Sequence, residues 1–438
     1  MPGKGRRRKG RGRNGTGWIR EIRPGYWRGE IRLGTGPDGK PIRKSATGRS
    51  REEVESKLQE YQRAYTLGVP VDADKLTVED HLQEWLRTKK PPNLRPTTYA
   101  QYEWRVKYIQ PLLGKIRLKD LDYRTINAFY HHLQEQGLSP RTIADVAALL
   151  RSALKDAVAK GLILRNPTDI SIRPRAPKKE ARFLTEAELE VVLKAARGEL
   201  LEDLFVLAVH TGMRASELLG LTWANVDLEG RKLAVRQAVH EIRGRMVLGD
   251  VKTEASRRII TLPTQAVDAL KRQRKRQLEL QLAAGPKWRN EYNLVFTNRL
   301  GDILIRTNIT KRDLRRVLNK AAVLNAARRL GVDEAETLRL NALTLPARPL
   351  HAGDVILLPD GRQVTLEKQD LLEDVGLHTF RHTHAAMLIA AGVDILAVSR
   401  RLGHENVRIT LDLYGHLMPG QDERAAQAME RIVTALGG

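Results

Sequence analysis

The spacing of apolar and polar positions changes period along the chain, and each change predicts an element boundary. Over residues 18–48 the period is two, with apolar residues alternating with arginine, lysine and glutamate. Segments 18–23, 26–33 and 42–45 read as three short strands, with Pro24-Gly25 and the stretch 37–40 as turns. Ser50 caps a predicted helix over 51–66, and Gly68-Val69-Pro70 ends it. From 76 to 166 the apolar positions recur at helical spacing. Thr77 caps a helix over 78–89, and Arg95-Pro96 starts a second through Tyr99, Tyr102, Val106 and Ile109. A third spans 123–136, and Ser139-Pro140 opens a fourth through Val146, Leu149, Leu150 and Leu154 that Gly161 closes. These faces fit a compact helical unit. The stretch 171–182 is basic and proline-rich, which predicts an extended linker and a domain boundary.

A second large domain starts at Phe183. Thr185 with Glu188 is a capping-box signature, and 201–210 reads as a buried helix that Gly212 ends just before Arg214 opens the next. Strands are predicted at 232–239 and about 257–262, with 249–258 between them as a hairpin tip that carries Lys252. Near the C-terminus, His378-Thr379-Phe380-Arg381 opens a helix that stops at Gly392. A second helix, 394–402, ends at Gly403-His404, and a third, from 406 to about 413, carries Tyr414 at its far end. A final stripe of Ala425, Ala428, Met429, Ile432, Val433 and Leu436 predicts an amphipathic helix over 422–436. The fold class expected is mainly α and multidomain (α+β). It comprises a small sheet-plus-helix domain (18–72), a helical domain (76–170) and a mixed α/β domain (183–438).

Charge changes the picture more than composition does. The 438 residues are 41% hydrophobic and 29% charged, ordinary for a globular chain, but the formal net charge is +24. A basic excess of this size points to a polyanion, nucleic acid first and an anionic membrane surface second. No apolar run approaches a membrane span, and the start lacks the apolar core of a secretory signal, so a cytoplasmic, nucleoid-associated protein is expected. The absence of cysteine excludes disulfides, thiol catalysis and cysteine-ligated zinc. Residues 1–17 alternate glycine with cations, including Arg6, Arg7 and Arg8, and read as a disordered basic arm that tracks phosphates. Arg20, Arg28, Arg32 and Arg43 lie on the predicted strands, and a sheet carrying them could lie in a DNA major groove. Arg173, Arg175, Lys178 and Lys179 place further charge on the linker.

The densest chemistry lies between 376 and 417. His378 and Arg381, three residues apart, share a helix face and can reach one small target. Taken alone, the stretch is equally a set of phosphate ligands and proton carriers beside a phenol, or a helical subdomain with solvated histidines. Arg214, at a helix start between apolar helices, needs an anion or a carboxylate, and Glu217 is its natural structural partner. His378 with His382 is half of a zinc site without an evident third ligand. His382 and His384 are expected to pack within the helix or touch DNA, and Arg400 and Arg401 to be a solvated or phosphate-facing pair.

Together, Arg214, Lys252, the His378-x-x-Arg381 box, Leu402-Gly403-His404 and Tyr414 resemble the tyrosine recombinase (phage integrase) family in order, spacing and local context. That context is Thr-Gly-Met-Arg-x-Ser-Glu-Leu at Arg214, Lys-Thr-x-x-Ser-x-Arg at Lys252 and Leu-Gly-His before the tyrosine. The resemblance implies arm-site, core-binding and catalytic domains, and a catalytic set of Arg214, Lys252, His378, Arg381, His404 and the nucleophile Tyr414. It also implies strand exchange through a 3′-phosphotyrosyl intermediate that integrates or excises a phage or other mobile element. No metal or cofactor is required. The partners implied are double-stranded DNA at core-type and arm-type sites, a homotetramer on that DNA, and accessory bending or directionality proteins. A DNA-binding factor that keeps the fold without the activity is the alternative. One segment departs from the family pattern: about forty extra residues, 330–372, which include a hairpin turned by Asp360-Gly361 and which place the positioning of the His378 box in question.

Overall fold

The computed structural model describes residues 17–35, 39–66, 75–172, 174–175, 177, 180–339, 345–358, 360–417 and 421–436. The basic arm with Arg6, Arg7 and Arg8, and the linker cations Arg173, Lys178 and Lys179, lie outside these residues, as do the turn residues Pro37 and Asp38 and the helix stop at 68–70. The chain divides into two compact units, Met1–Lys178 and Lys179–Gly438.

In the first unit β1 (Trp18–Arg23), β2 (Tyr26–Thr35) and β3 (Pro41–Gly48) form an antiparallel meander in the order β1-β2-β3. One face packs on α1 (Arg51–Thr66), where Val54 and Leu58 meet Ile31, Leu33 and Ala46. Gly29 makes this approach possible, since a Cβ there would lie 2.7 Å from Leu58 and 2.9 Å from Val54. The register sets Arg20 opposite Arg28 and Arg32 opposite Arg43. With side chains alternating along each strand, all four arginines therefore share the face away from α1. All four are exposed. Helices α2 (Val78–Thr88), α3 (Pro96–Leu113), α4 (Tyr123–Glu135) and α5 (Pro140–Ala159) enclose a separate core around Trp85, Ile109, Ile126, Phe129, Val146 and Leu150. Each helix starts where a cap or a proline predicts it. Thr77 and Asp80 form a reciprocal capping box, and the side chains of Asp122 and Ser139 accept N–H bonds from Thr125 and Thr142.

In the second unit α6 (Glu186–Ala195), α7 (Glu202–Thr211) and α8 (Ala215–Leu219) lead into β4 (Val226–Asp227), β5 (Lys232–Val235), β6 (Gln237–Ile242), β7 (Arg245–Asp250) and β8 (Arg258–Thr261). The single strand expected over 232–239 is two, broken at Arg236: β5 joins the sheet β4-β5-β8, and β6 pairs with β7. Consequently 249–258 is not a hairpin tip. The β6-β7 hairpin turns at Arg243-Gly244, both at positive φ (50° and 79°), as a two-residue primed turn requires. Arginine rarely adopts that conformation, so the sequence carries no Asn-Gly signal there. Lys252 sits instead in the connection from β7 to β8.

After α9 (Thr264–Ala284) comes α10 (Arg306–Asn308), which runs through a π-turn, Ile309–Asp313, into α11 (Leu314–Arg329). The extra segment folds against α11. After α12 (Glu334–Leu338), β9 (Val355–Leu357) and β10 (Gln363–Thr365) pair, and Ile356, Leu358, Val364 and Leu366 pack on Ala322, Val323, Ala326 and Ala327. The Nδ2 of Asn319 donates to the carbonyls of Pro346 and Arg348, and Arg329 pairs with Asp370 at 2.9 Å. Leu372, Val375 and Leu377 then return the chain to the main core, so the helix of the histidine box starts from a fixed point.

The last elements are α13 (Leu377–Ala390), α14 (Ile395–Leu402), α15 (Val407–Tyr414) and α16 (Gln421–Leu436). Phe380 of α13 packs against Phe205 of α7 with ring centroids 5.7 Å apart, which ties the box into the core of the unit.

Candidate active site

Three guanidinium groups converge from distant parts of the sequence. Arg214, the N-cap residue of α8, donates from Nη1 to Glu217 Oε1 (2.7 Å) and Ser256 Oγ (3.3 Å), and from Nη2 to the Gly403 carbonyl (2.8 Å). Arg258 of β8 donates to the other oxygen of Glu217 (2.9 Å) and to the Arg401 carbonyl (2.7 Å). Arg381, 2% exposed, donates from Nη1 to the Gly212 carbonyl (2.8 Å), and its buried Nη2 has no hydrogen-bond partner in the protein.

Two glycines allow this approach. Gly212 and Gly403 both sit at left-handed φ (61° and 67°) at the ends of α7 and α14. A Cβ on Gly212 would lie 2.6 Å from the His384 ring, and one on Gly403 would lie 2.9 Å from the Arg258 guanidinium.

Glu217 bridges Arg214 and Arg258. Burial pushes its carboxyl upward, but Arg258 and then Arg214 outweigh that and hold it below the ordinary carboxylate range. Three arginines against one carboxylate leave a local charge of +3 − 1 = +2. The arrangement suits a phosphodiester that gains negative charge as it is attacked. Replacing Glu217 by alanine strands Arg258 without its anion and releases Arg214. We expect a loss of about 3–5 kcal/mol in unfolding free energy, as for other broken buried pairs. Urea denaturation measures it, and a loss under about 1 kcal/mol would show that Arg258 finds another partner.

The histidines divide by role. The His404 Nδ1 is 2.7 Å from Thr410 Oγ1, and burial, then Arg381, Arg214 and Arg258, push its pKa down to about 3. His378 is exposed at the mouth of the cluster, and partial desolvation, followed by His382, Arg381, Arg214 and Arg306, lowers it to about 4. Both rings are therefore neutral at pH 7. His384 is buried between helices, with Nδ1 2.7 Å from the Val209 carbonyl and Nε2 accepting from Arg401 Nε at 3.0 Å.

Two expectations need correction. Arg401 is not a solvated side chain, because it donates to His384, to the His210 carbonyl (3.0 Å) and to the Thr261 carbonyl (3.3 Å). His382 neither simply packs within its helix nor faces outward to DNA, since its Nδ1 lies 2.5 Å from the Tyr414 hydroxyl. Tyr414 itself is 1% exposed, and burial raises its phenol to about 12. Among the described residues no three His, Asp or Glu side chains are grouped to hold a metal ion.

Five of the six sequence-predicted residues thus gather here: Arg214, His378, Arg381, His404 and Tyr414. Lys252 remains exposed, although its loop reaches the cluster through Ser256 and through Thr253, whose Oγ1 is 3.0 Å from Ser256 Oγ. Arg258 and Ser256 stood in the sequence motif around Lys252, but nothing in their spacing showed that they hold Glu217 and Arg214.

This order of groups on these elements coincides with a known family. The phage integrase family model matches residues 182–339 and 361–420, and the phage integrase SAM-like domain matches 77–173. The chain belongs to the phage integrase family, the tyrosine recombinases. Within the extra segment, only 340–360 falls outside the family model. A tyrosine recombinase XerC-like protein of Caldanaerobacter subterraneus is 28% identical over 93% of this chain and 96% of its own length. An integrase of Streptomyces ambofaciens is 29% identical over 93% of each. In fold, the chain is similar to the Tn1549 transposon integrase solved with transposon right end DNA, with a TM-score of 0.60 and 21% identity over 82% of this chain and all of that one. As a tyrosine recombinase, the chain is a site-specific enzyme that cleaves and rejoins DNA. Among the described residues no helix is long and apolar enough to cross a membrane.

Proposed function

We propose that Tyr414 attacks the scissile phosphodiester of duplex DNA, leaving a 3′-phosphotyrosyl link and a free 5′-hydroxyl, so that the bond energy is stored for rejoining. Arg214 and Arg381 hold the non-bridging oxygens, for which planar guanidinium forks are suited. Lys252, on its exposed loop, protonates the leaving 5′-oxygen once DNA is bound. His378 serves as acid or base beside the tyrosine, and His404 hydrogen-bonds the phosphate. The single observation that carries this reading is the buried Arg381 with an unpartnered Nη2, since a buried guanidinium donor calls for an anion.

In this reading residues 76–170 bind core-type sites and 18–72 bind arm-type sites. A homotetramer holds two duplexes and integrates or excises a phage or other mobile element at the nucleoid. A nicked duplex carrying the element's own attachment core tests it. In EDTA the protein should form an adduct that survives SDS, whereas cleavage that appears only with magnesium would overturn the reading. Binding without any adduct would instead favour a DNA-binding factor that keeps the fold.

The arm assignment has its own test. Arg28→Ala with Arg32→Ala removes two cations from the exposed sheet face. It should weaken binding to arm-site DNA and lower the slope of log K against log salt by about 2. An unchanged slope would move the arm contact to another surface.

A further inference from the structure

The residue in hydrogen-bond contact with the reacting oxygen of Tyr414 is His382, which the sequence pattern marked only as a packing, DNA-facing or metal-site candidate. His382 follows Arg381 and lies four positions after His378 on α13, so the two histidines are neighbours on the helix. Their rings meet edge to face, with centroids 4.7 Å apart at 88°. The ring of His382 lies 5.8 Å from that of Tyr414, and His382 Nδ1 is 2.5 Å from the phenolic oxygen. In the tautomer that carries its proton on Nε2, His382 Nδ1 accepts from the phenolic hydroxyl.

We propose that His382 is the catalytic base: its Nδ1 takes the phenolic proton as Tyr414 attacks and returns it when the strands rejoin. The inference rests on Tyr414 being the nucleophile. The step balances without any co-reactant. The Tyr414 O–H bond breaks and its proton passes to Nδ1, the tyrosyl oxygen bonds to phosphorus, and the P–O5′ bond breaks. The leaving oxygen takes a separate proton from Lys252. Rejoining reverses each transfer, and in this assignment His382 takes the place of His378 as the base for the phenol, which leaves His378 to act on the phosphate.

The electrostatics agree with this geometry. Burial and then Arg381 keep His382 below the ordinary imidazole range, which favours the neutral ring that a base requires. Burial keeps the phenol protonated, so a base is needed. Before attack the same contact fixes the phenol in one orientation.

Single-turnover cleavage of the nicked attachment-core duplex decides it, with wild type, His382→Asn, His382→Ala, Lys252→Ala and Tyr414→Phe compared at equal DNA occupancy. Asparagine can keep an acceptor near Nδ1 but cannot hold the proton. His382→Asn should therefore cut about 10²–10⁴-fold more slowly near neutral pH. Its rate should rise steadily with pH as hydroxide replaces the base, whereas the wild-type rate should be flat above the imidazole pKa. A substrate with sulfur in place of the bridging 5′-oxygen separates base from acid, because a thiolate leaves without protonation. Sulfur should restore Lys252→Ala and leave His382→Asn slow. Three results would overturn the proposal: a wild-type rate and pH profile for His382→Asn, rescue of that variant by sulfur, or faster cleavage by His382→Ala, which would make His382 a latch on a buried phenol. An adduct formed by Tyr414→Phe would instead overturn the assignment of the nucleophile, a result visible separately from the other three.

Discussion

Tyr414→Phe should abolish the covalent protein–DNA adduct while binding to the attachment core stays within a few-fold of wild type. Removing one oxygen takes away the only atom of that side chain able to bond to phosphorus, and no neighbouring group can supply its place. His378, His382 and His404 are nitrogen bases, and a phosphoramidate on any of them would be lost on acid treatment, in which a phosphotyrosine persists. The ring remains, so its packing with Ala385, Ile389, Val398 and Leu402 is retained and the fold changes little. What stability is lost comes from the hydrogen bond to His382, on the order of 1 kcal/mol. The expected pattern is total loss of chemistry with a small shift in thermal midpoint, measured by SDS-resistant adduct and by calorimetry on the same preparation. An equal loss of adduct and of folded protein would show that the hydroxyl is structural instead.

Arg381→Ala removes the proposed phosphate ligand together with the tie from α13 to the Gly212 turn. Its guanidinium is almost wholly buried, and burial followed by the neighbouring Arg214 lowers its pKa to about 9, so it is still charged at neutral pH. Loss of one preorganised donor to a developing oxyanion slows a reaction by about 10²–10³-fold. Arg381 is placed to offer a charge as well as a donor, so the drop in single-turnover cleavage should reach at least that range. Arg381→Lys tests geometry against charge. A lysine can carry the charge but cannot donate to the Gly212 carbonyl and to a phosphate oxygen in one plane. The lysine variant should therefore recover only a small part of the lost rate. Full recovery would mean that Arg381 acts as a point charge and that its planar fork is incidental.

Much of the architecture could be read from local signals. Thr77, Ser139 and Thr185 announce helix starts through bonds within one turn, and the strands of residues 18–48 follow from a period of two. The candidate catalytic side chains were legible because their residue types stand in a recognisable order and spacing. What stayed hidden depends on contacts between distant parts of the chain. The bond from Arg381 to Gly212 joins residues 169 positions apart, and the one from Arg258 to Arg401 joins residues 143 apart. Nothing near Arg401 predicts its burial against His384. The i, i+4 pair of histidines was visible, but which of them meets Tyr414 depends on how α15 docks on α13, and hydrophobic spacing does not encode that angle. The turn at Arg243-Gly244 was missed for the opposite reason: arginine at positive φ is a local exception held in place by the flanking strand pairing.

The central claim, that the phenol of Tyr414 carries the DNA during the reaction, is tested most directly by locating the bond. The adduct trapped on the nicked duplex is digested with nuclease and protease, and the nucleotide-bearing peptide is sequenced by mass spectrometry. The account predicts a 3′-linked nucleotide on the peptide that contains Tyr414, on the tyrosine itself. A nucleotide on any other residue, or one joined through its 5′ end, would contradict it.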